Sequence, residues 1–319
     1  MFESPAQAHA ALTAVGYITD KVTATTVYLA DRLHKPLLLE GPAGSGKTEL
    51  SYAVTRAAST TIERLQCFEG ITAEHAIGKF DESLQRLYLE LATRSDTPDW
   101  KELARQITAL DFLIPGQLLR ALLSEQPCVL LIDELDKVDR AFEATLLEIL
   151  SVWQLSIPRL GTIAAKSIPF TVLTSNEERR LGDPLRRRSL YLRIEYPTAE
   201  REGEIVARRT PEASPETHRL IAGFAKALRA YRLEKPPSVS EMIDIALAVE
   251  LLSIADVTVE HRDVLLPLFA KTSKDRKKLT DLKDAFASIL HAAKLHANEM
   301  AAREVPEVLK EAAEEGQLA

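Results

Sequence analysis

The chain has 319 residues, 46% apolar and 27% charged, enough for roughly two globular domains at about 150 residues each. No apolar run approaches the ~20 residues that a membrane-crossing helix needs. The opening MFESPAQAHAALTAVGYITD lacks the basic start and apolar stretch of an export signal. Membrane insertion and export are therefore not expected, and a cytoplasmic chain is. Forty Lys and Arg against 47 Asp and Glu leave a net charge of −7, which counts against binding nucleic acid mainly through its phosphates. Cys67 and Cys128 form no disulfide or zinc pattern and read as reduced core thiols.

In chain order, the first strand expected is the apolar run Leu37–Glu40. It leads into Gly41-Pro42-Ala43-Gly44-Ser45-Gly46-Lys47-Thr48, a full GxxxxGK[ST] phosphate loop, followed by the helix-like ELSYAVTRAA. The glycines let the backbone curl so that successive N–H groups face phosphate oxygens, and the helix start adds its dipole. Lys47 is expected to reach the β- and γ-phosphates and the Thr48 hydroxyl to hold Mg²⁺.

A second strand is expected at Ile62–Gln66. In the region 71–127, Leu84, Leu87, Tyr88 and Leu91 repeat at helical spacing and read as core packing. The third strand, Val129–Asp133, ends in the adjacent acids Asp133 and Glu134. Asp133 suits the Mg²⁺ water shell, and Glu134 suits polarising a water aimed at the γ-phosphate. Asp136-Lys-Val-Asp139 looks like the guanine-reading NKxD pattern with its first residue changed. Its position directly after the acids is wrong for that role, so it reads as helix-start chemistry, and ATP is favoured over GTP.

A helix through Phe142, Leu146, Ile149, Leu150 and Trp153 should follow, then a hairpin over Gln154–Lys166 with Arg159-Leu160-Gly161 near its tip. The fourth strand, Phe170–Thr174, ends in Ser175-Asn176, whose amide can sit beside Glu134 and the attacking water. Arg186, Arg187 and Arg188 precede a fifth strand, Leu190–Ile194. A guanidinium there could complete charge neutralisation on the γ-phosphate, in a neighbouring subunit if the loop points away from its own site. Beyond Pro197 the signals turn helical. The expected domains are therefore an α/β core over 1–197 and a helical domain with C-terminal helices over 198–319. The basic cluster Lys271, Lys274, Arg276, Lys277 and Lys278 reads as a solvated helix-flanking loop.

These pieces, in this order, resemble the AAA+ ATPases and more narrowly the MoxR-type subgroup. The likeness rests on GPAGSGKT, CVLLIDELD, the TSN strand end, the PLRRR box and Arg64-Leu-Gln-Cys-Phe-Glu-Gly70. It implies a P-loop NTPase with a five-stranded parallel sheet core, a smaller all-helical lid and Mg²⁺-dependent ATP hydrolysis. It also implies a homo-oligomeric ring of about six subunits in which Arg188 or its neighbours serve the next site. By the same analogy Tyr17 and Ile18 lie near the adenine. The lid stretch PPSVSE, from Pro236, offers no Arg where such lids usually carry one, leaving Arg229 or Arg232 as substitutes. The subgroup is thought to mature or activate metalloenzymes and other complexes, commonly with a von Willebrand A domain partner. One branch serves molybdenum carbon monoxide dehydrogenases, and this chain is similar to it in the RLQC-EG stretch. A chaperone-like ATPase remodelling a protein client is the leading expectation. The alternative is a nucleic-acid-directed AAA+ loader or restriction-type motor, motivated by Arg159 and the 271–278 cluster.

Overall fold

The computed structural model describes the backbone of residues 1–92, 99–231, 233–281 and 285–315, with the side chains of these except 281 and 303–315. Among the described residues nine strands run in chain order: β1 (Leu37–Glu40), β2 (Ile62–Gln66), β3 (Gly78–Phe80), β4 (Leu113–Pro115), β5 (Val129–Asp133), β6 (Gln154–Ile157), β7 (Gly161–Ala164), β8 (Phe170–Ser175) and β9 (Leu190–Arg193). Five of them form one sheet in the order β2-β5-β8-β1-β9, with every neighbouring pair parallel. The chain divides into two compact units, Met1–Pro42 with Gly46–Ile194, and Ala43–Ser45 with Glu195–Ala319.

The central strands lack polar alternation because both faces of the sheet are covered. Leu38, Leu130, Ile132 and Leu173 join one apolar cluster with Leu118, Leu122, Phe142 and Leu146. Their alternates Leu37, Leu39, Val129, Leu131 and Val172 join a second, with Leu12, Val27, Leu50 and Val54. The first face is thus closed by helices Gln117–Leu123 and Arg140–Val152, and the second by Pro5–Ala14, Lys21–Leu33 and Lys47–Ala57. Side-chain acceptors start several of these helices: Ser4 caps Gln7 N–H, Asp20 caps Thr23 N–H and Asp139 caps Phe142 N–H.

The five expected sheet strands form, with β8 reaching Ser175 and β9 stopping at Arg193. The expected hairpin is the antiparallel pair β6–β7, turned at Arg159 (φ +70°) and Gly161 (φ +93°). The 71–127 region divides in two. Helix Gln117–Leu123 packs into the core, whereas helix Glu82–Ala92 buries no residue. Leu84, Leu87 and Leu91 are 43%, 53% and 55% exposed, so the core role expected for that stripe is wrong. Periodicity predicted the helix, but Leu103 and Leu113 fill the adjoining core instead. Tyr88 alone turns inward, edge-on to Phe112.

Among the described residues from Glu195 onward, the second unit has helices and no strand. Helices Ala199–Arg209, Pro215–Ala230, Val239–Leu251, Arg262–Phe269 and Ala285–Glu315 enclose a cluster centred on Phe224, Phe269 and Phe286. Gly223 permits the helix crossing, since a Cβ there would lie 2.2 Å from the Ala293 carbonyl oxygen. The basic cluster is mostly helix Ser273–Asp281, not a loop. Its buried Asp275 accepts the backbone N–H groups of Glu234 and Lys235, while Lys271 pairs with Glu241 and Lys274 with Glu234.

Candidate active site

The C-terminal edge of a parallel sheet collects strand ends and their loops, and open α/β sheets bind ligands there. Pairing aligns Gln66 with Asp133 and Glu40 with both Ser175 and Arg193. The phosphate loop leaves β1 at this edge. Gly41, Gly44 and Gly46 have φ of +152°, +74° and +94°, in the region that favours glycine. At Gly41 a Cβ would also lie 2.0 Å from the Ile194 carbonyl oxygen, so no larger residue fits. Helix Lys47–Ala57 starts directly after Gly46, which turns the N-terminal end of the helix toward the loop.

Lys47 is buried and donates to the carbonyls of Gly41 and Pro42 at 2.7 and 2.8 Å. Burial lowers the pKa of its ammonium, against the opposing pull of Asp136, Asp133, Glu177 and Glu134. Thr48 and Asp133, 85 positions apart, meet: the Thr48 hydroxyl donates to Asp133 Oδ1 at 3.0 Å. Thr174, one strand over, donates to the same oxygen at 2.5 Å. Asp133 Oδ2 accepts from Arg64 Nη2 at 2.7 Å. A hydroxyl and a carboxylate at the helix start form the hard-oxygen donor set that Mg²⁺ prefers, so the residues present fit that ion.

Glu134 has left-handed backbone (φ +58°). Its N–H donates to Thr174 Oγ1 at 2.9 Å, and its carboxylate pairs with Lys137. Asp136 corrects the helix-start expectation: Asp139 caps the helix, whereas Asp136 is buried and its Oδ2 accepts the N–H groups of Asn176 and Glu178, each at 2.9 Å. That carboxylate fixes the loop leaving β8 and so places Asn176. Arg179 continues the bracing, donating to the Val138 carbonyl at 2.6 Å and pairing with the buried Glu143.

The three arginines separate. Arg186 donates to the buried Glu40 at 2.6 Å and lies over the Tyr191 ring at 5.1 Å, so it is engaged within its own chain. Arg187 and Arg188 end helix Asp183–Arg188, are exposed, and make no hydrogen bond or ion pair among the described residues. Tyr17 packs against the apolar layer that includes Leu12, directly after Gly16 at φ +83°, with Ile18 half-buried beside it. In the helical unit, Arg229 pairs with the fully buried Glu202 at 2.6 Å and stacks on Tyr196. Arg232 lies outside the described residues.

Sequence reasoning missed Arg64, Lys137, Thr174 and Arg179 as parts of this edge. Arg64 and Thr174 carried a signal, as the first residues of RLQC and of the TSN strand end.

Residues 36–189, just under half of the chain, match the family model described as AAA domain (dynein-related subfamily). This segment has the AAA+ fold. No curated protein sequence matches the chain. Among solved structures, a proline-to-glycine mutant of Thermotoga maritima RuvB is 16% identical with a TM-score of 0.44, covering 84% of this chain and 70% of that one. The same organism's RuvB Holliday junction branch migration motor is 16% identical with a TM-score of 0.42, covering 78% and 66%. An arginine-to-alanine variant of that RuvB is 15% identical with a TM-score of 0.45, again covering 78% and 66%. The chain thus spans about two thirds of the length of these structures.

Proposed function

We propose that this protein is an ATPase of the AAA+ class that remodels a protein client. The observation that carries the reading is the junction of Thr48, Asp133 and Thr174 at the start of the phosphate-loop helix, with Glu134 next along the chain.

In this reading, N–H groups of the loop and of the helix start hold the β- and γ-phosphates, and Lys47 turns from the Gly41 and Pro42 carbonyls to join them. Thr48 and Asp133 would hold Mg²⁺, which when bound supplies charge neutralisation between the phosphates. Glu134 polarises the attacking water, and Asn176 orients that water from the loop that Asp136 fixes. Arg188 and Arg187 are free to serve the site of a neighbouring subunit, which makes a homo-oligomeric ring, of six in the AAA+ pattern, the working form. The MoxR-type branch is proposed on the likeness of the RLQC-EG stretch and the PLRRR box, and Arg64 of that stretch bonds to Asp133. That branch brings a von Willebrand A domain partner, a metalloenzyme or other complex as client, and the reducing cytoplasm, which suits two free buried thiols.

The test is the solution mass of Glu134→Gln with ATP, with ADP and without nucleotide. Assembly to about six subunits only with ATP supports the reading. A monomer under every condition removes the shared site. Salt-sensitive binding of DNA or RNA, with no nucleotide-dependent protein partner, would move the function to nucleic acid.

A further inference from the structure

Asp133 divides its carboxylate between two sides of the site. Oδ1 faces Thr48 and Thr174, while Oδ2 accepts from Arg64 at 2.7 Å. The Asp133 side chain is 4% exposed, and a carboxylate so buried needs a partner for its charge. Among the described residues, neighbouring cations have other partners: Lys47 the Gly41 and Pro42 carbonyls, Lys137 Glu134 and Arg193 Glu177. Arg64 is itself held in place, since it also donates to the Gln66 side-chain oxygen and, at 3.5 Å, to the Tyr52 hydroxyl. Gln66 lies in register with Asp133 on the neighbouring strand, so the guanidinium is carried by rigid sheet and not by a loop.

We propose that Arg64 is a positioning residue that sets how strongly nucleotide binding depends on the divalent cation. This rests on the ATPase reading above. Thr48 and Thr174 already hold Oδ1, so what Arg64 adds is its charge. That permanent positive charge on Oδ2 weakens the carboxylate's attraction for a divalent cation, so the cation is held firmly only when a triphosphate adds its own negative charge. The effect acts through Asp133, and Arg64 itself need not touch nucleotide.

The readout is the ratio of the ATP dissociation constant in EDTA to that in millimolar Mg²⁺. It is measured with a fluorescent ATP analogue in the full chain carrying Glu134→Gln to stop turnover. Arg64→Gln should raise this ratio about tenfold over the parent, and Arg64→Lys, which keeps the charge, should stay within about twofold of it. In an Asp133→Asn background, Arg64→Gln should leave the ratio unchanged, because the coupled partner is gone. An unchanged or lowered ratio in Arg64→Gln alone overturns the proposal, and so does a rise that persists with Asp133→Asn. A merely structural role would weaken binding equally with and without the cation, and would appear as an unchanged ratio. No ATP binding by the parent under either condition overturns the ATPase reading and this inference together, whereas normal binding with a flat ratio removes only this inference.

Discussion

Arg186 donates to Glu40 across 2.6 Å although 146 positions separate them, and the buried Glu40 carboxylate lies at the end of the interior strand β1. Removing the guanidinium leaves that carboxylate unpaired. Arg186→Ala should therefore destabilise the fold by about 2 kcal/mol, less than a fully buried pair because the arginine is itself 31% exposed. Arg187→Ala and Arg188→Ala should change stability by less than about 0.5 kcal/mol. Urea unfolding of the three variants separates a structural arginine from two free ones.

Arg188→Ala should bind ATP normally yet hydrolyse it at least about a hundredfold more slowly. Mixing it with Lys47→Ala subunits should restore part of the rate, since each variant supplies what the other lacks. No recovery in a well-mixed assembly would mean that Arg188 does not act across subunits.

Lys47→Ala and Glu134→Gln should fail in different ways. The first removes a charge-assisted contact to phosphate and should weaken ATP binding tenfold or more, by roughly 1.5–3 kcal/mol. The second keeps size and hydrogen bonding, so affinity should hold while turnover falls by about 10²–10⁴. Equilibrium binding and phosphate release on the same preparations distinguish the two.

Asp136→Ala should free two backbone donors, Asn176 N–H and Glu178 N–H. A loss of about 1–3 kcal/mol is expected from two partly buried donors left without their acceptor. Hydrogen exchange at residues 176–178 should speed up more than in the strands, and ATP turnover should fall with it. Unchanged exchange in this loop would show that Asp136 is not what holds it.

Burial, with the nearby charges of Asp133, Glu134 and Asp136, pushes the Cys67 thiol up to about 12 from an ordinary 9.0. The folded state then keeps a proton that the unfolded chain releases. Stability should fall as pH rises from 9 toward 12, by up to roughly 4 kcal/mol across the window. Cys67→Ala should flatten that alkaline slope, and a thiol reagent at pH 8 should leave Cys67 unmodified in the native protein.

The five sheet strands were legible because each central one is a short apolar run ended by a polar residue, a pattern that double-sided burial imposes. The phosphate loop was legible for a different reason: its residues are consecutive, so spacing alone describes it. What lay hidden were pairings between distant residues. Arg64 meets Asp133 from 69 positions away, and although the RLQC stretch drew notice, nothing near either residue names the other as its partner. Asp136 read as a helix start because local chemistry offered that role, and only the return of β8 beside β5 supplies the N–H groups it accepts. The stripe of Leu84, Leu87 and Leu91 shows the limit of periodicity, which predicts a helix with an apolar face but not what, if anything, lies against that face.

The left-handed backbone at Glu134 has a consequence for anyone engineering this protein. A residue with a Cβ gives up roughly 1 kcal/mol in that conformation, and glycine or asparagine would regain part of it. Directed evolution for heat tolerance alone would thus drift toward replacing the one carboxylate proposed to activate water. A hardened but inert variant is its natural product, so any such screen needs a turnover assay beside the melting curve.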